Sequence, residues 1–195
     1  MVDIFRNSGL TTLTYYADRI PNNCFENCDK LKDVKIENNL VYVGSKAFYD
    51  CDSLNSVVFS ENAGSEFIYK EAFAQCNLLD IVVLPNSDCY FEEKVFDDCL
   101  LSTKVEFQPL TFITGNEGNM FDNCPELSKF NADNSLYYKV EDGLLVTKDG
   151  KEIILAPYID TFLETDKTYT INEKYEIIGE AAFSGVLHTG KLVIG

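Results

Sequence analysis

The sequence contains a single histidine, His188, among its 195 residues. Structural zinc needs four converging ligands, so the close pair Cys24 and Cys28 has too few partners to hold the metal. His188 also lacks a cysteine or serine partner in any recognisable nucleophile setting. The acidic clusters FDDC and VEDG lack the alternating carboxylates of a calcium loop. The sequence therefore predicts no metal site, no cofactor and no enzyme active site.

Long apolar runs and positive charge are also scarce. No run approaches the roughly 20 apolar residues of a transmembrane helix, so we expect no membrane insertion. The 32 acidic residues outnumber the 16 basic ones, and the net charge of −16 would repel the phosphates of nucleic acid. We therefore expect no nucleic-acid partner. The same charge suits a soluble surface that resists aggregation.

The first and last residues lack two features that an exported solenoid protein is expected to have, a signal peptide and a polar capping coil. The first residues, MVDIFRNSGL, lack the basic and then apolar order of a signal peptide. A chain excised from a longer secreted protein would not carry one, so export stays open. The last residues, KLVIG, predict an open strand without a polar capping coil. We expect either a fragment of a longer array or an oligomer that pairs through this strand, and we favour the fragment.

Seven cysteines are present, and five of them recur at separations of 23, 25, 23 and 25 residues. These five are Cys28, Cys51, Cys76, Cys99 and Cys124. Each follows a phenylalanine by three residues: Phe25, Phe48, Phe73, Phe96 and Phe121. A wider template surrounds them, and its second copy reads Val43, Ala47, Phe48, Cys51, Leu54, Val57 and Phe59. Six copies are visible, the last around Phe183, with a trace of a seventh at Phe5. The chain is therefore a repeat array.

The end of the template alternates with period two, which predicts a short strand with one buried face. The segment around Ala-Phe is too short for a full helix and predicts a turn or a single helical coil. One strand in each copy cannot bury its inner face alone, so neighbouring copies must stack. The sequence thus predicts a predominantly β solenoid, with a parallel β-sheet on one face and short helical turns on the other.

The period fails between Phe121 and Phe183. The segment LYYKVEDGLLVTKDGKEIILAP contains three apolar runs separated by Asp142-Gly143 and Asp149-Gly150. Asp-Gly between such runs indicates hairpin turns. We interpret residues 133–170 as an inserted β-meander, with its last run ending at Pro157. The whole chain, residues 1–195, is then one solenoid domain with repeats at 5–132 and 171–195.

The stretches VGSKAFYDCDSLNSVVF and IGEAAFSG closely resemble the BspA-like leucine-rich repeats, also called the Treponema pallidum type. EDGLLVTKDGKEIILAP resembles the hairpin segment often interleaved in that family. The resemblance implies an arc-shaped solenoid and, for many members, a bacterial or protist surface protein that binds host proteins or other cells. It implies no shared catalytic residues. We therefore expect a cell-surface or secreted location, with the cytoplasm as the alternative.

The array cysteines share their slot with an apolar residue, because Val186 takes it in the last copy. A buried free cysteine behaves as a small hydrophobe, so we interpret the slot as core. An odd number of cysteines also leaves at least one thiol unpaired in a monomer. Cys89 lies outside the slot and has no assigned role.

The segment GVLHTGKL nearly matches the phosphate-binding loop through Gly185, Gly190 and Lys191. Leu192 stands where that loop needs Ser or Thr to hold magnesium. A strand is also expected after it, where the loop needs a helix N-terminus. The sequence therefore disfavours a nucleotide or phosphate site.

The outward positions of the predicted strands remain as a candidate surface. Val58, Ile81 and Val83 form an apolar patch, and charged residues such as Lys35 and Glu106 lie on the flanking copies. Exposed apolar residues rimmed by polar ones mark interaction sites, so we predict that these five residues bind a partner. Two further predicted outward positions are Pro85 and Gln108. The alternative is that β-branched residues merely suit strands, or that a loop covers them.

The predicted function is that of a non-enzymatic leucine-rich-repeat protein that mediates protein–protein interaction or adhesion. Its expected partner is a host or cell-surface protein, and a glycan is the alternative ligand. A second hypothesis is a structural spacer within a longer surface protein. A nucleotide-binding or phosphate-binding enzyme is the third.

Overall fold

The computed structural model describes residues 4–101, 104–115, 119–157, 168–184 and 191–195. Within these ranges the chain forms sixteen short β-strands and no α-helix. Most of the strands pair in parallel with a strand from the next copy of the repeat. The predicted β solenoid is therefore confirmed.

Each coil of the array contributes one strand to each of two parallel sheets. Sheet 1 contains β1 (Thr12–Tyr15), β3 (Asp33–Ile36), β5 (Ser56–Phe59), β7 (Ile81–Val83) and β9 (Lys104–Glu106). Sheet 2 contains β2 (Arg19–Ile20), β4 (Leu40–Val43), β6 (Ser65–Ile68), β8 (Asp88–Phe91) and β10 (Phe112–Gly115). The sequence predicted sheet 1 and missed sheet 2. In β2, β4, β6 and β8 only the last residue belongs to the repeat template, so the pattern is too weak to indicate a strand.

The third side of each coil consists of consecutive β-turns instead of the predicted helical turns. In the second copy the Ala47 amide donates to the Gly44 carbonyl at 3.1 Å, and the Tyr49 amide donates to Lys46 at 3.2 Å. In four of the turn segments two residues four apart have positive φ, such as Lys46 at 56° and Asp50 at 57°. A left-handed residue ends a helix, so these segments cannot continue as one. In the described ranges only Asn119, in the fifth copy, is in a 3₁₀ conformation on this side.

The turn segments of successive coils are hydrogen-bonded to each other. The amide of Phe25 donates to the Ala47 carbonyl of the next coil at 2.8 Å. Phe48 does the same to Ala72 at 2.8 Å, and Phe73 to Val95 at 2.9 Å. These bonds satisfy backbone groups that would otherwise be buried without partners. The third side is therefore held by a backbone ladder, as the two sheets are.

Phenylalanine rings stack along the inside of the turn side. Neighbouring ring centroids lie 5.0–5.4 Å apart, with interplanar angles of 4–14°. The stack contains Phe5, Phe25, Phe48, Phe73, Phe96 and Phe121. The rings from Phe25 to Phe96 are 1% exposed or less. Each ring thus covers the next, and they form one continuous wall of the core.

Each array cysteine donates a hydrogen bond from its thiol to the carbonyl of the phenylalanine in the preceding coil. The distance from Sγ to oxygen is 3.2 Å from Cys51 to Phe25 and 3.1 Å from Cys76 to Phe48. It is 3.2 Å from Cys99 to Phe73. In the described ranges no backbone amide of the turns and loops donates to the carbonyls of Phe25, Phe48 and Phe73. In these copies the slot therefore favours a small apolar residue that can also donate a hydrogen bond, and cysteine meets both conditions.

All seven cysteines are buried free thiols. Burial raises the pKa of Cys89, Cys99 and Cys124, in the last case to about 12. A hydrogen bond with the Cys76 thiol, together with burial, raises the pKa of Cys51. Cys89, which had no role in the repeat template, is the inward residue of β8 and pairs in register with Ile113. The core interpretation of the cysteines therefore extends to Cys89.

The segment after the fifth copy forms three antiparallel strands. They are β11 (Tyr138–Glu141), β12 (Leu144–Thr147) and β13 (Glu152–Leu155). Asp142 and Gly143 both have positive φ at the first turn, and Gly150 has φ of 76° at the second. The turns lie at the two Asp-Gly pairs. That this segment is an insertion at residues 133–170 stays an interpretation of the sequence.

Parallel pairing resumes directly from the third of these strands. β13 pairs in parallel with β15 (Ile177–Ile178) in sheet 3, and β14 (Thr168–Ile171) pairs with β16 (Lys191–Ile194) in sheet 4. The turn after β15 repeats the earlier geometry, since the Ala182 amide donates to Gly179 at 3.1 Å and Ala181 has φ of 55°. The last strand of the hairpin segment therefore serves as the neighbour of the next coil.

Replacing the middle ring of the stack should cause a large loss of stability. We expect Phe73→Ala to lower the free energy of unfolding by about 3–5 kcal/mol, because it leaves a cavity between two rings. The control is Leu78→Ala, since Leu78 is 53% exposed and its truncation should change stability by less than about 0.5 kcal/mol. Urea unfolding monitored by circular dichroism measures both. Equal losses in the two variants would contradict the ring-stack account.

The burial of the cysteines predicts how the thiols react. We expect the folded protein to show almost no reaction with a thiol reagent at pH 8, because thiolates are the reactive form and burial disfavours them. When the protein is unfolded in guanidinium chloride, the absorbance change of the reagent should correspond to seven reacted thiols. Rapid modification of several thiols in the folded state would contradict their burial.

The raised thiol pKa values also predict weaker stability at high pH. Above the ordinary cysteine pKa of 9.0, the unfolded chain loses thiol protons that the folded chain keeps. The thiol contribution to the free energy of unfolding should therefore be constant below this pH and fall above it. The fall is about 1.4 kcal/mol per pH unit for each thiol that stays protonated. Urea titrations from pH 8 to 11 test this, and Cys89→Val should reduce the slope by about one thiol.

Candidate functional site

Four of the five predicted partner-binding residues lie side by side across sheet 1. Lys35 pairs in register with Val58, Val58 with Val83, and Val83 with Glu106. Paired residues of parallel strands point to the same side of the sheet, so these side chains form one row. Ile81 lies one row away, where its neighbours are Ser56 and Lys104. The structure thus brings the five residues onto one outer face.

The row faces outward because the alternate residues of the same strands are buried. Val57, Val82 and Val105 are 0–1% exposed, and they form part of the core. Lys35 is exposed, and the other four predicted residues are partly exposed. The predicted direction of these side chains agrees with the structure.

Two other positions predicted to face outward are buried. Pro85 is buried, and Gln108 is 4% exposed. The Gln108 amide donates to the carbonyls of Phe59 at 2.9 Å and Leu84 at 2.7 Å. Both positions follow the last strand residue, where the chain bends toward sheet 2 and the alternation ends. Gln108 therefore satisfies the ends of two neighbouring strands and takes no part in the outer surface.

A groove of about 710 Å³ runs over this face. Its floor contains Val58 and Val83, with Lys35 at one side and Glu106 at the other. The walls are loops that follow the strands, and they include Glu61, Asn62, Asn86, Pro109 and Asn134. We call this feature the strand groove.

Hydrogen bonds hold one wall of the strand groove in place. The Asn86 Nδ2 atom donates to the Glu61 carbonyl at 2.9 Å. The Asn86 Oδ1 atom accepts a hydrogen bond from the Leu110 amide at 2.8 Å. One side chain thereby joins the loops of three successive coils. The wall is therefore part of the repeat structure and is not a separate loop that folds over the sheet.

An ion pair lies at each side of the apolar floor. Lys35 and Glu37 are 2.6 Å apart on β3 and the residue after it, and Lys104 pairs with Glu106 on β9. The hydrogen bond to Glu37 raises the pKa of Lys35, and the bonds from Lys35 and Ser60 lower the pKa of Glu37. Each cation is therefore balanced by its own carboxylate. The wall residue Glu61 adds a third carboxylate, so the strand groove carries two cations and three anions.

Chemical sites of other kinds find no support in the part of the chain that the structure describes. It contains no group of three or more His, Cys, Asp and Glu side chains that could hold a metal ion. Its helices include none long and apolar enough to cross a bilayer. Gly185, His188 and Gly190 lie outside the described residues. Strand β16 begins at Lys191, where a phosphate-binding loop would continue into a helix.

Sequence reasoning missed the outer surface of sheet 2, which carries several aromatic side chains. Phe67 and Tyr90 are both 39% exposed, and Tyr42 pairs in register with Phe67. Tyr42, Phe67 and Tyr90 are separated by 25 and 23 residues, which matches the cysteine period. That spacing places the three residues at equivalent positions of successive copies. The sequence analysis predicts no strand there, so it does not identify this surface.

Two solved structures resemble this chain. One is a leucine-rich cell surface protein from Faecalibacterium prausnitzii A2-165, with 21% identity, a TM-score of 0.56, and coverage of 99% of this chain and 57% of that protein. The other is the pneumococcal vaccine antigen PcpA, with 18% identity, a TM-score of 0.49, and coverage of 95% and 45%. The chain spans about half the length of each. At this identity the first likeness shows the fold alone. A search of curated proteins finds no match.

The sequence model described as "BspA type Leucine rich repeat region (6 copies)" matches residues 3–142. The match covers the copies from Phe5 to Phe121, which are the coils joined by the phenylalanine stack. The copy around Phe183 lies beyond it and shares the turn geometry described above. With most of its length matched by the repeat, this chain belongs to the BspA type leucine-rich repeat family.

Proposed function

We propose that this protein is a non-enzymatic leucine-rich-repeat module that binds a protein partner at a bacterial or protist cell surface, and that the strand groove is its binding site. Its role is protein–protein interaction or adhesion. The observation that carries the proposal is the apolar floor of Val58 and Val83 between two balanced ion pairs. Apolar centres with polar rims are typical of protein interfaces.

The local charge balance indicates what the strand groove accepts. Lys35 and Lys104 are each paired with a carboxylate on the same strand or directly after it. A strongly charged ligand would have to compete with these pairs, whereas an apolar side chain can cover the valines without disturbing them. We therefore expect a protein segment that places an aliphatic or aromatic side chain on the floor. Its polar groups would contact the asparagines of the walls.

The surface location is supported by the first solved structure that the chain resembles, which is a leucine-rich cell surface protein. A rigid sheet that presents its outer row to solvent is also a scaffold suited to recognition, since the side chains are fixed before binding. A glycan is the alternative ligand. It would use the amides of Asn62, Asn86 and Asn134 more than the valines.

A structural spacer is the second candidate function. Each coil is joined to its neighbours by the backbone ladders and the ring stack. The packing of such an array does not limit the number of coils, so an array can lengthen a surface protein without binding a partner.

Removing the apolar floor should remove binding without unfolding the protein. We expect Val58→Thr/Val83→Thr to weaken capture of a partner by at least about tenfold, because threonine keeps the shape and the strand propensity but adds a hydroxyl. The measurement is biolayer interferometry against purified extracellular matrix and cell-surface proteins. Circular dichroism melting of the variant checks that it stays folded.

The matched control is Val140→Thr, because Val140 is 40% exposed on β11 of sheet 3, outside the strand groove. It should bind as the wild type does. An equal loss of binding in the Val58→Thr/Val83→Thr variant and in the Val140→Thr control would contradict the assignment of the binding site to the strand groove. A folded wild type that binds no protein in the panel favours the spacer. Binding to a glycan array that depends on Asn134 but not on Val58 favours the glycan.

A further inference from the structure

Sheet 2 carries a second surface, which we call the aromatic face: Tyr42, Phe67, Tyr90, Phe112 and Tyr137. Tyr42, Phe67 and Tyr90 lie in one row across three neighbouring strands. Phe112 on β10 is 37% exposed, and Tyr137 after it is 39% exposed. Isolated exposed rings are ordinary on protein surfaces, but a contiguous group is not.

The rings of the aromatic face contact each other in two groups. The centroids of Phe67 and Tyr90 are 6.0 Å apart, and Tyr69 lies 5.7 Å from Tyr42 and 6.0 Å from Phe67. In the second group the centroids of Phe112 and Tyr137 are 5.0 Å apart. These contacts hold each ring in one orientation. The rings are therefore ordered before any ligand arrives.

Gly115 gives Tyr90 the space that its position requires. A Cβ atom on this residue would lie 2.9 Å from the Cε2 atom of the Tyr90 ring and would also overlap the Phe91 carbonyl. Gly115 has φ of 97°, which a residue with a side chain adopts only with strain. The Tyr90 ring thus lies against bare backbone of the next strand.

An unpaired carboxylate lies among the rings. Asp88 pairs in register with Phe112 and precedes Tyr90 by two residues, and its side chain is exposed, as theirs are. Residues two apart on a strand point to the same side, so Asp88 lies beside both rings. Asp88 forms no ion pair with any residue that the structure describes.

We propose that the aromatic face binds a basic segment of a partner protein, with lysine or arginine side chains placed over Tyr90 and Phe112 and paired with Asp88. The face of an aromatic ring attracts a cation, and a carboxylate beside it adds direct charge pairing. A neutral ligand would partly desolvate the Asp88 carboxylate without supplying a charge to pair with it. The net charge of −16 further favours encounter with a basic partner. This surface differs from the strand groove, whose cations are already balanced, so the two proposals stand separately.

The test uses two labelled peptides of equal length and the full chain. One peptide alternates Lys and Arg with Gly and Ser, and in the other every Lys and Arg is replaced by Gln. We expect the wild-type protein to bind the first peptide and not the second by fluorescence anisotropy. Phe67→Leu/Tyr90→Leu keeps apolar side chains but removes two rings, and it should weaken binding by about 5- to 30-fold. Asp88→Asn should weaken binding by a similar factor and flatten its dependence on salt.

The control for total charge is Asp29→Asn, because Asp29 is an exposed residue on the turn side, away from the aromatic face. It removes the same charge as Asp88→Asn and should change the affinity by less than about twofold. Equal effects of the two substitutions, or a leucine variant that binds as well as the wild type, would show that only net charge attracts the peptide and would overturn the proposal. Equal binding of the glutamine peptide would also overturn it. A wild-type dimer that the leucine variant converts to monomer, measured by light scattering, would assign the face to self-association instead.

Discussion

The hydrogen bond from each array cysteine to the phenylalanine carbonyl of the preceding coil is the constraint on which the stacking depends. It joins the thiol of one turn segment to the carbonyl of the ring-bearing residue in the segment before it. The rings then stack at 5.0–5.4 Å, a spacing close to that of strands in a sheet. Because one rise per coil suits the ladders on all three sides, both sheets can pair in parallel without a shift in register.

A core specified in this way leaves the outward positions of the strands free to vary. Lys35, Val58 and Val83 share a row, although their chemistry differs. The inward partners of the same strands are all apolar and buried. A substitution in the outer row therefore changes the outer surface at little cost in packing. The same scaffold carries an aliphatic groove between two ion pairs on sheet 1 and an aromatic surface on sheet 2.

The sequence predicts best those parts of the structure in which a residue contacts its equivalents in neighbouring coils. Phe48 and Cys51 contact equivalent residues in neighbouring coils, so their spacing alone revealed the solenoid, the core and the direction of Val58 and Val83. Sheet 2 was missed because its exposed residues contact mainly each other and need no fixed identity. Gln108 was misplaced because the alternation of a strand ends where the chain bends. Some of the positive φ angles on the turn side fall on asparagine, as at Asn23 and Asn27, but others fall on Lys46, Glu71 and Gln75, residue types that carry no strong turn signal.

The hairpin segment shows how antiparallel strands can adjoin a parallel coil. β12 pairs antiparallel with β13, yet β13 offers its other edge in parallel to β15. The Ala156 amide also donates to the Ala182 carbonyl at 2.7 Å, which is the bond that Phe25 makes to Ala47 between regular coils. A single strand with the correct edge is thus enough to act as the preceding coil. Stacking therefore needs only a neighbour that presents the right backbone groups.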